Sequence, residues 1–552
     1  MPCESRVPMP CESRAPVRES RWVELRERWE ASTTARERAA STNSEGAASP
    51  NSANDGARDD VVDRQPLNET EGFGFRRPRH LRAVLPERVE TGRTVSLIVS
   101  ITAATNGAGI SAPLKDFDVP SEGAVVTLSV SSRGLVPRGE SEQDIRVPSD
   151  GDSEPHRFAF IAGPVGLHHV NVDAYRGGTH LGTVRLEISV EANATISEAR
   201  VRTAELSTVA FEPGEVTLQV RLEEQGYRFQ LLGDTLYSDV TAMMGDSRDS
   251  VEQLVAELHA MAADQSDYAT PGLVRDRLKS LGIELWSSAV PKGIQEQFWE
   301  QSDRIRMLTV AADHDVIPWE LLYPLNGSND NGFLAEQFPV MRRAYAARRV
   351  TTLPIGGAAY VVPPASPSDA MVEVEAIRAL LGTRAGDHGV LSELSDVRRL
   401  VLGDLGLPGI MHFACHNTFS DRSGSSITLD GGPWKPSDLA EAVQRATLAD
   451  AAPLVFLNAC RSAGQMAWFS QMSGWGTKFI EAGAGAFIGS LWAVRSSAAR
   501  AFAEEFYQQF VGKGQPLGAS SLSARQVVQS DGGDPTWLAY TVYGNPAAVA
   551  TY

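Results

Sequence analysis

The chain has 552 residues, with 51 Lys+Arg against 69 Asp+Glu and a formal net charge of −18. At roughly 150 residues per domain, that length predicts two to four domains. The acidic balance argues against binding nucleic acid or an anionic membrane through the overall field. The longest nearly apolar stretch, residues 483–494, falls far short of the roughly 20 residues that span a bilayer. The charged first thirty residues contain no apolar core of a secretory signal. Four cysteines, two in the N-terminal tail and two in apolar C-terminal segments, are too few for a disulfide scaffold or a multi-cysteine zinc site. A reducing, cytoplasmic setting is expected, with each core thiol judged on its own surroundings.

Residues 1–75 read as a disordered tail. It opens with Met1-Pro2-Cys3-Glu4-Ser5-Arg6, repeated at Met9-Pro10-Cys11-Glu12-Ser13-Arg14, and continues as a Ser/Asn/Ala/Gly/Asp run through Asp60. So little apolar surface cannot offset chain entropy.

From 76 to 195 the apolar period becomes two: Val95, Leu97, Val99, Ile101; then Val126, Leu128, Val130; then Val184, Leu186, Ile188, Val190. Gly177-Gly178, between two alternating runs, is a hairpin signal. Short strands with turn signals over this length predict an immunoglobulin-like β-sandwich. His168 and His169 are adjacent, so a strand points them to opposite faces and they make no metal site. Residues 196–300 read as a mixed α/β stretch. A hairpin is expected over 217–222 and 227–232. Helical stripes run through Val251, Leu254, Val255, Leu258 and Met261, and again through Val274, Leu278 and Leu281.

Residues 301–552 read as α/β. Apolar runs at 306–311, 359–362, 410–415, 454–459 and 486–492 predict buried parallel strands. Helical patterns are interleaved at 369–381, 394–402, 437–446, 476–482 and 498–510. The alternation implies right-handed crossovers and a mostly parallel sheet flanked by helices. Reacting groups in such sheets sit at the carboxyl ends of strands.

Two strand ends carry reactive side chains. Ile410-Met411-His412-Phe413-Ala414-Cys415 finishes in His416, and Leu454-Val455-Phe456-Leu457-Asn458-Ala459 finishes in Cys460. They are 44 residues apart, enough for one helical crossover, which brings both to the same sheet edge. An imidazole beside a thiol favours the thiolate, whose free pKa of about 8.5 otherwise keeps it mostly protonated at pH 7. A buried core cysteine and a satisfied histidine remain the alternative at this point.

Residues 206–552 resemble the CHAT family, caspase-like cysteine peptidases of the clan that holds caspases and separases. Val316-Ile317-Pro318-Trp319-Glu320-Leu321-Leu322-Tyr323 resembles its I-P-W-E-L-L segment, and His412-Phe413-Ala414-Cys415-His416 its histidine strand. Ile427-Thr428-Leu429-Asp430-Gly431-Gly432 is similar to its L-x-L-D-G hairpin. Asn458-Ala459-Cys460-Arg461-Ser462-Ala463-Gly464 is similar to its nucleophile motif. Residues 479–492 and the end Leu538-Ala539-Tyr540-Thr541-Val542-Tyr543-Gly544-Asn545-Pro546 resemble its last two, completing six motifs in order.

The resemblance implies an intracellular cysteine endopeptidase with no cofactor and no metal. Cys460 would be the nucleophile and His416 the general base and acid. The oxyanion would be held by the backbone N–H groups of Cys460 and Asn417. His412 shares the face of His416 about 13 Å away and is expected to be structural, while Cys415 faces away and packs as a small hydrophobe. Asn417 stands where the family usually has Gly. Asn tolerates positive φ best among other residues, so its N–H is expected to serve. Trp492 and Arg495, in the segment corresponding to a caspase pocket loop, and the acids Asp421 and Asp430 are the substrate-pocket candidates. Family members in bacteria resemble effectors of phage-defence and cell-suicide systems. No P-loop and no helical repeat is visible here, so a protein substrate and a separate activator or sensor protein are the expected partners, with the sandwich and tail as regulators. The rival reading is an inactive caspase-like scaffold that binds partners, with Asn417 marking a decayed oxyanion site.

Overall fold

The computed structural model describes residues 79–552 apart from 104–118, 120–122, 150, 194–198, 207–213, 224–225, 234–239, 243–256, 258–269, 313–316, 328, 345–348, 421–423, 461–467, 493 and 530–533. The 1–75 tail, the helix through Val251–Met261 and the pocket candidate Asp421 lie outside the described residues.

The described residues of the period-two region form nine strands, β1 (Arg79–Pro86), β2 (Arg88–Glu90), β3 (Thr94–Thr102), β4 (Ala124–Ser132), β5 (Leu135–Pro137), β6 (Glu142–Val147), β7 (His156–Ala162), β8 (Gly166–Arg176) and β9 (Thr179–Glu191), and the stretch read as mixed α/β adds a tenth, β10 (Ala199–Leu206). They make two sheets, ordered β10-β1-β3-β7-β5 and β2-β9-β8-β4-β6. Every pairing is antiparallel except β2 with β9. The alternation has a direct consequence. Leu97, Val99, Phe158 and Phe160 of one sheet and Val126, Leu128, Val172 and Leu186 of the other join a single buried cluster. Gly177-Gly178 closes the β8–β9 hairpin, with Arg176 paired to Thr179.

The rest of the chain builds one large mixed sheet. Its strands are β11 (Glu215–Glu223), β12 (Gly226–Leu232), β13 (Val240–Ala242), β14 (Met307–Ala312), β17 (Val340–Arg343), β19 (Gly357–Val361), β20 (Gly386–Leu391), β21 (Ile410–Ser420), β24 (Leu454–Cys460), β25 (Ala486–Ser490) and β26 (Tyr540–Gly544). Between them in the chain lie β15 (Leu325–Asn326) with β16 (Asn329–Asp330), β18 (Thr352–Pro354), which pairs with β27 (Val549–Thr551), and the β22 (Gly424–Leu429) and β23 (Gly432–Trp434) hairpin. The order is β13-β12-β11-β14-β17-β26-β25-β24-β21-β19-β20. β20, β19, β21, β24 and β25 run parallel; β26, β17, β14 and β11 run parallel to one another in the opposite sense, and the blocks meet antiparallel at β25 and β26. The expected parallel sheet is thus two opposed parallel blocks.

The helices are α1 (Pro271–Ala289), α2 (Lys292–Gln301), α3 (Leu334–Gln337), α4 (Ala370–Leu381), α5 (Leu394–Val401), α6 (Ala440–Arg445), α7 (Trp468–Glu481), α8 (Ser496–Tyr507), α9 (Leu517–Gln529) and α10 (Thr536–Ala539). None of the described helices is long and apolar enough to cross a membrane. The I-P-W-E-L-L segment has a structural reason. Trp319, Leu321 and Leu322 are buried, and the fully buried Glu320 carboxylate pairs with Arg342 at 2.6 Å.

The β8–β9 hairpin docks on β11. A side chain at Gly178 would come within 2.0 Å of the Glu215 carbonyl oxygen, so only glycine allows the approach. Thr217 Oγ1 donates to Gly178 O at 2.7 Å, Thr179 Oγ1 to Glu215 Oε2 at 2.8 Å, and Gln219 Nε2 to the Tyr175 hydroxyl at 2.6 Å. Arg343 reaches from β17 to the Tyr175 hydroxyl and to Asp173. His180 Nε2 lies 3.1 Å from Asp173 Oδ1. Burial pushes His180 down to about 4, and the Arg343 charge adds to the effect against the Asp173 hydrogen bond. For Asp173 burial acts to raise the carboxyl, but the His180 hydrogen bond and Arg343 hold it well below the usual range.

Two stability predictions follow from these buried charges. Glu320→Ala strands the Arg342 guanidinium and is expected to cost about 3–5 kcal/mol in a denaturant titration, whereas Glu320→Gln, which keeps an acceptor, costs less. His180 is neutral in the fold and has an ordinary pKa of 6.5 when unfolded. As pH falls from 6.5 the unfolded chain takes up the proton first, so stability present above that pH is lost progressively down to about 4. The loss is on the order of 3 kcal/mol. Melting temperature against pH measures it, and His180→Gln should flatten the slope in that window.

Candidate active site

The site is built on β21 and β24, neighbouring parallel strands in the middle of the block. Main-chain pairing sets His412 opposite Phe456, Ala414 opposite Asn458, and His416 opposite Cys460. Adjacent strands lie about 4.8 Å apart. The pairing therefore brings the two predicted reactive positions side by side at the carboxyl ends of their strands. His416 is partly buried. Strand alternation puts position 460 in phase with 456 and 458, and His416 in phase with His412.

After His416 the chain leaves the main sheet and pairs antiparallel with β22, Asn417 opposite Ile427. The Asn417 side chain is buried and its Oδ1 accepts the Ser425 hydroxyl at 2.9 Å, which in turn accepts Trp475 Nε1 at 3.0 Å. Among the described non-glycine residues, positive φ occurs at Ala446 and Ala452 only. Asn417 is therefore extended, and the left-handed backbone for which its tolerance was invoked is not adopted. A side chain fits here because it has a buried hydroxyl to accept from.

Cys415 forms no disulfide and is buried, and strand alternation sets it on the opposite face from His416. Its neighbour Phe413 stacks on Trp434 with ring centroids 5.5 Å apart, and Trp434, Trp475 and Phe479 continue the aromatic layer.

Three pocket candidates are described. Trp492 is fully buried, and its indole N–H has no acceptor among the described residues. Arg495, at the residue before α8, pairs through Nε with Asp534 Oδ2 at 3.1 Å and keeps 38% side-chain exposure. Asp534 also accepts the N–H and hydroxyl of Thr536. Asp430 accepts the Ser392 hydroxyl at 2.9 Å, and its main chain bonds to Ser392 and Leu394. Gly431 and Gly432, at φ 91 and 143, turn the chain there from β22 into β23. The L-x-L-D-G motif is thus the turn that anchors the hairpin to the start of α5.

On the face of His412 lies a polar cluster that the sequence reading missed. Glu373 of α4 is 3% exposed. Its Oε1 accepts His412 Nε2 at 2.8 Å and Asn458 Nδ2 at 2.8 Å. Asn458 Nδ2 also donates to Ala499 O at 3.2 Å, and its Oδ1 accepts the Tyr540 hydroxyl at 2.7 Å. Burial raises the Tyr507 phenol well above its ordinary value, helped by Tyr360 and Glu373. Tyr507 thus stays protonated and donates to His412 Nδ1 at 3.2 Å. Nε2 then carries the His412 proton, as a carboxylate partner requires. The missed signal was a carboxylate on an apolar stripe: Ala370, Glu373, Val374, Ile377 and Leu381 are the buried positions of α4.

The family model for the CHAT domain matches residues 279–545. A domain of unknown function, DUF7363, matches residues 83–186. No curated protein matches the chain. Among solved structures, the Saccharomyces cerevisiae separase–securin complex at 2.6 Å is similar over 61% of this chain, with 10% identity and a TM-score of 0.40; the match spans only 30% of that chain. A structure described as a protease is 12% identical over 55% of this chain and 76% of its own, with a TM-score of 0.32. A Pyrococcus furiosus CARDB domain in complex with di-metal ions is 11% identical over 21% of this chain and 96% of its own, with a TM-score of 0.16. With the family match spanning both paired strands and three further motifs complete within 279–545, this chain carries a CHAT domain over those residues.

Proposed function

We propose that the protein is a cysteine endopeptidase whose dyad is Cys460 and His416. The observation that carries the reading is the register His416 opposite Cys460 at the carboxyl ends of adjacent parallel strands. In this reading His416 takes the Cys460 proton, and the thiolate attacks the peptide carbonyl carbon. The oxyanion is held by main-chain N–H groups of Cys460 and Asn417. The C–N bond breaks as His416 returns the proton to the leaving amine. Water, deprotonated by His416, then hydrolyses the thioester. No cofactor is needed for these steps.

The setting belongs to the same reading. The chain works in a reducing cytoplasm on a protein substrate, as a regulated effector of a defence or cell-suicide response, with a separate activator or sensor protein. The domains are a tail to about residue 75, an immunoglobulin-like sandwich over 76–195, a mixed α/β part over 196–300 and the catalytic domain over 301–552. The second reading, a partner-binding scaffold, draws on Asn417, whose extended backbone does not take the left-handed form that glycine favours. Alkylation separates the two: a decayed site leaves Cys460 reacting no faster than the buried Cys415.

Cys460→Ala is expected to abolish cleavage while leaving thermal stability near wild type, because the truncation is small. His416→Ala should be nearly as severe, since the two groups act as a unit and their losses do not add. Equal cleavage by wild type and Cys460→Ala defeats the peptidase reading. In the pocket, Arg495 is expected to disfavour Lys and Arg at the position before the cleaved bond. The Asp534 partner at 3.1 Å offsets much of its charge, so the bias should be about tenfold at most. A peptide-library profile of wild type against Arg495→Ala measures it. A preference for basic residues points instead to Asp421 or Asp430 as pocket acids.

A further inference from the structure

Glu373 sits where two catalytic strands can be held by one group. A single oxygen, Oε1, receives an N–H from His412 on β21 and another from Asn458 on β24, both at 2.8 Å. His412 is four residues before His416, and Asn458 is two before Cys460. All three residues are at most 3% exposed. Charge-assisted bonds of this kind are short and roughly twice as strong as neutral ones, and in a dry interior they are costly to break.

Main-chain bonds alone hold neighbouring strands together but leave their twist loose, over about 10 to 35°. The two reactive positions lie roughly 7 and 13 Å beyond the Glu373 contacts along their strands. A 10° change of twist there displaces a strand tip by roughly 1–2 Å, and an error of about 1 Å in such geometry can cost a hundredfold in rate. A carboxylate on α4 that grips both strands removes that freedom. Asn458 extends the same grip to Ala499 in the first turn of α8, directly after Arg495. One cluster thus references the histidine strand, the nucleophile strand and the pocket segment to each other.

We propose that Glu373 is the positioning residue of the Cys460–His416 pair, acting through His412 and Asn458 and touching no substrate. The proposal rests on the dyad reading above. Its test needs neither substrate nor activator: alkylation of Cys460 by iodoacetamide in the full chain, followed by mass spectrometry from pH 5 to 9. Circular dichroism and melting accompany each variant. His416→Ala should lose the fast reaction near neutral pH. Glu373→Ala, below its melting temperature, should slow Cys460 alkylation at pH 7 by tenfold or more and move the profile up toward that of an ordinary thiol. Glu373→Gln keeps an acceptor oxygen for both N–H groups and should recover most of the rate. Should Glu373→Ala fail to fold, Glu373→Asp, which keeps the charge and withdraws it by one methylene, is expected to show the same slowing. A merely structural glutamate lowers the melting temperature and leaves the profile of the folded protein unchanged, and that result overturns the proposal. If His416→Ala does not change the profile, the dyad reading itself fails, and that comparison does not involve Glu373.

Discussion

The in-register pairing of β21 with β24 is the constraint on which the rest of the molecule depends. Both strands are covered on both faces, so their interiors must be apolar or internally satisfied. On one face Phe413 leads into the Trp434, Trp475 and Phe479 layer. On the other, Phe456 packs against Phe506, Tyr507 and Tyr540, and the polar groups that intrude are fully engaged by Glu373. Within the strands His412 and Asn458 are tolerated because Glu373 satisfies them, and positions 416 and 460 stand at the strand ends. A slip of one residue would carry every side chain of a strand to the other face. It would place Cys415 beside Cys460 and bury His416 in the aromatic layer. The apolar pattern that fixes the register therefore also fixes which residues meet.

Much of this was legible in the sequence because it is carried by period and by strand ends. The apolar runs beginning at Ile410 and Leu454 became β21 and β24 with the same starts, and the Gly177-Gly178 turn became the β8–β9 hairpin. What the sequence withheld is mostly direction and depth. Nothing local marks β26 as running against β25, because an antiparallel neighbour in a buried sheet has the same apolar composition as a parallel one. The helix Leu517–Gln529 went unread because Ser520, Ser521 and Arg525, all buried, interrupt its apolar stripe. Arg525 is tolerable there because it donates to the carbonyls of Trp537 and Tyr540. Glu373 was passed over for the same reason: a buried carboxylate looks like a solvated one until its partners are known.

The motifs also divide by what they do. I-P-W-E-L-L supplies a buried counter-charge to Arg342, and L-x-L-D-G makes a turn that ties β22–β23 to α5. The C-terminal Gly544 has φ 142 and lies so close to Leu517 and Ala486 that a side chain would be crowded from both sides. These are reasons of packing and backbone. The histidine and nucleophile motifs differ, in that each carries its reactive position to the carboxyl end of a strand, His416 opposite Cys460.

The junction between the N-terminal sheets and the large sheet is polar where a domain core would be apolar. Asp173, Thr179, His180, Glu215, Thr217, Gln219 and Arg221 are all nearly or fully buried. Such a contact is held by geometry, since each bond depends on its partner being in place and an unmade one is expensive. Its position in the sheet is also fixed. Arg342 is level with Tyr543, Tyr543 with Phe487, and Phe487 with Val455, which is the second residue of β24. Cys460 lies five residues further along that strand, roughly 17 Å away. The Arg343 end of the charged junction therefore lies at the opposite end of the sheet from the proposed dyad. A signal from the N-terminal sheets through these contacts would have to pass along the strands, or along α7, where Gly476 lies flush against the Tyr543 ring. That helix begins beyond the nucleophile motif and packs against β25, the neighbour of β24.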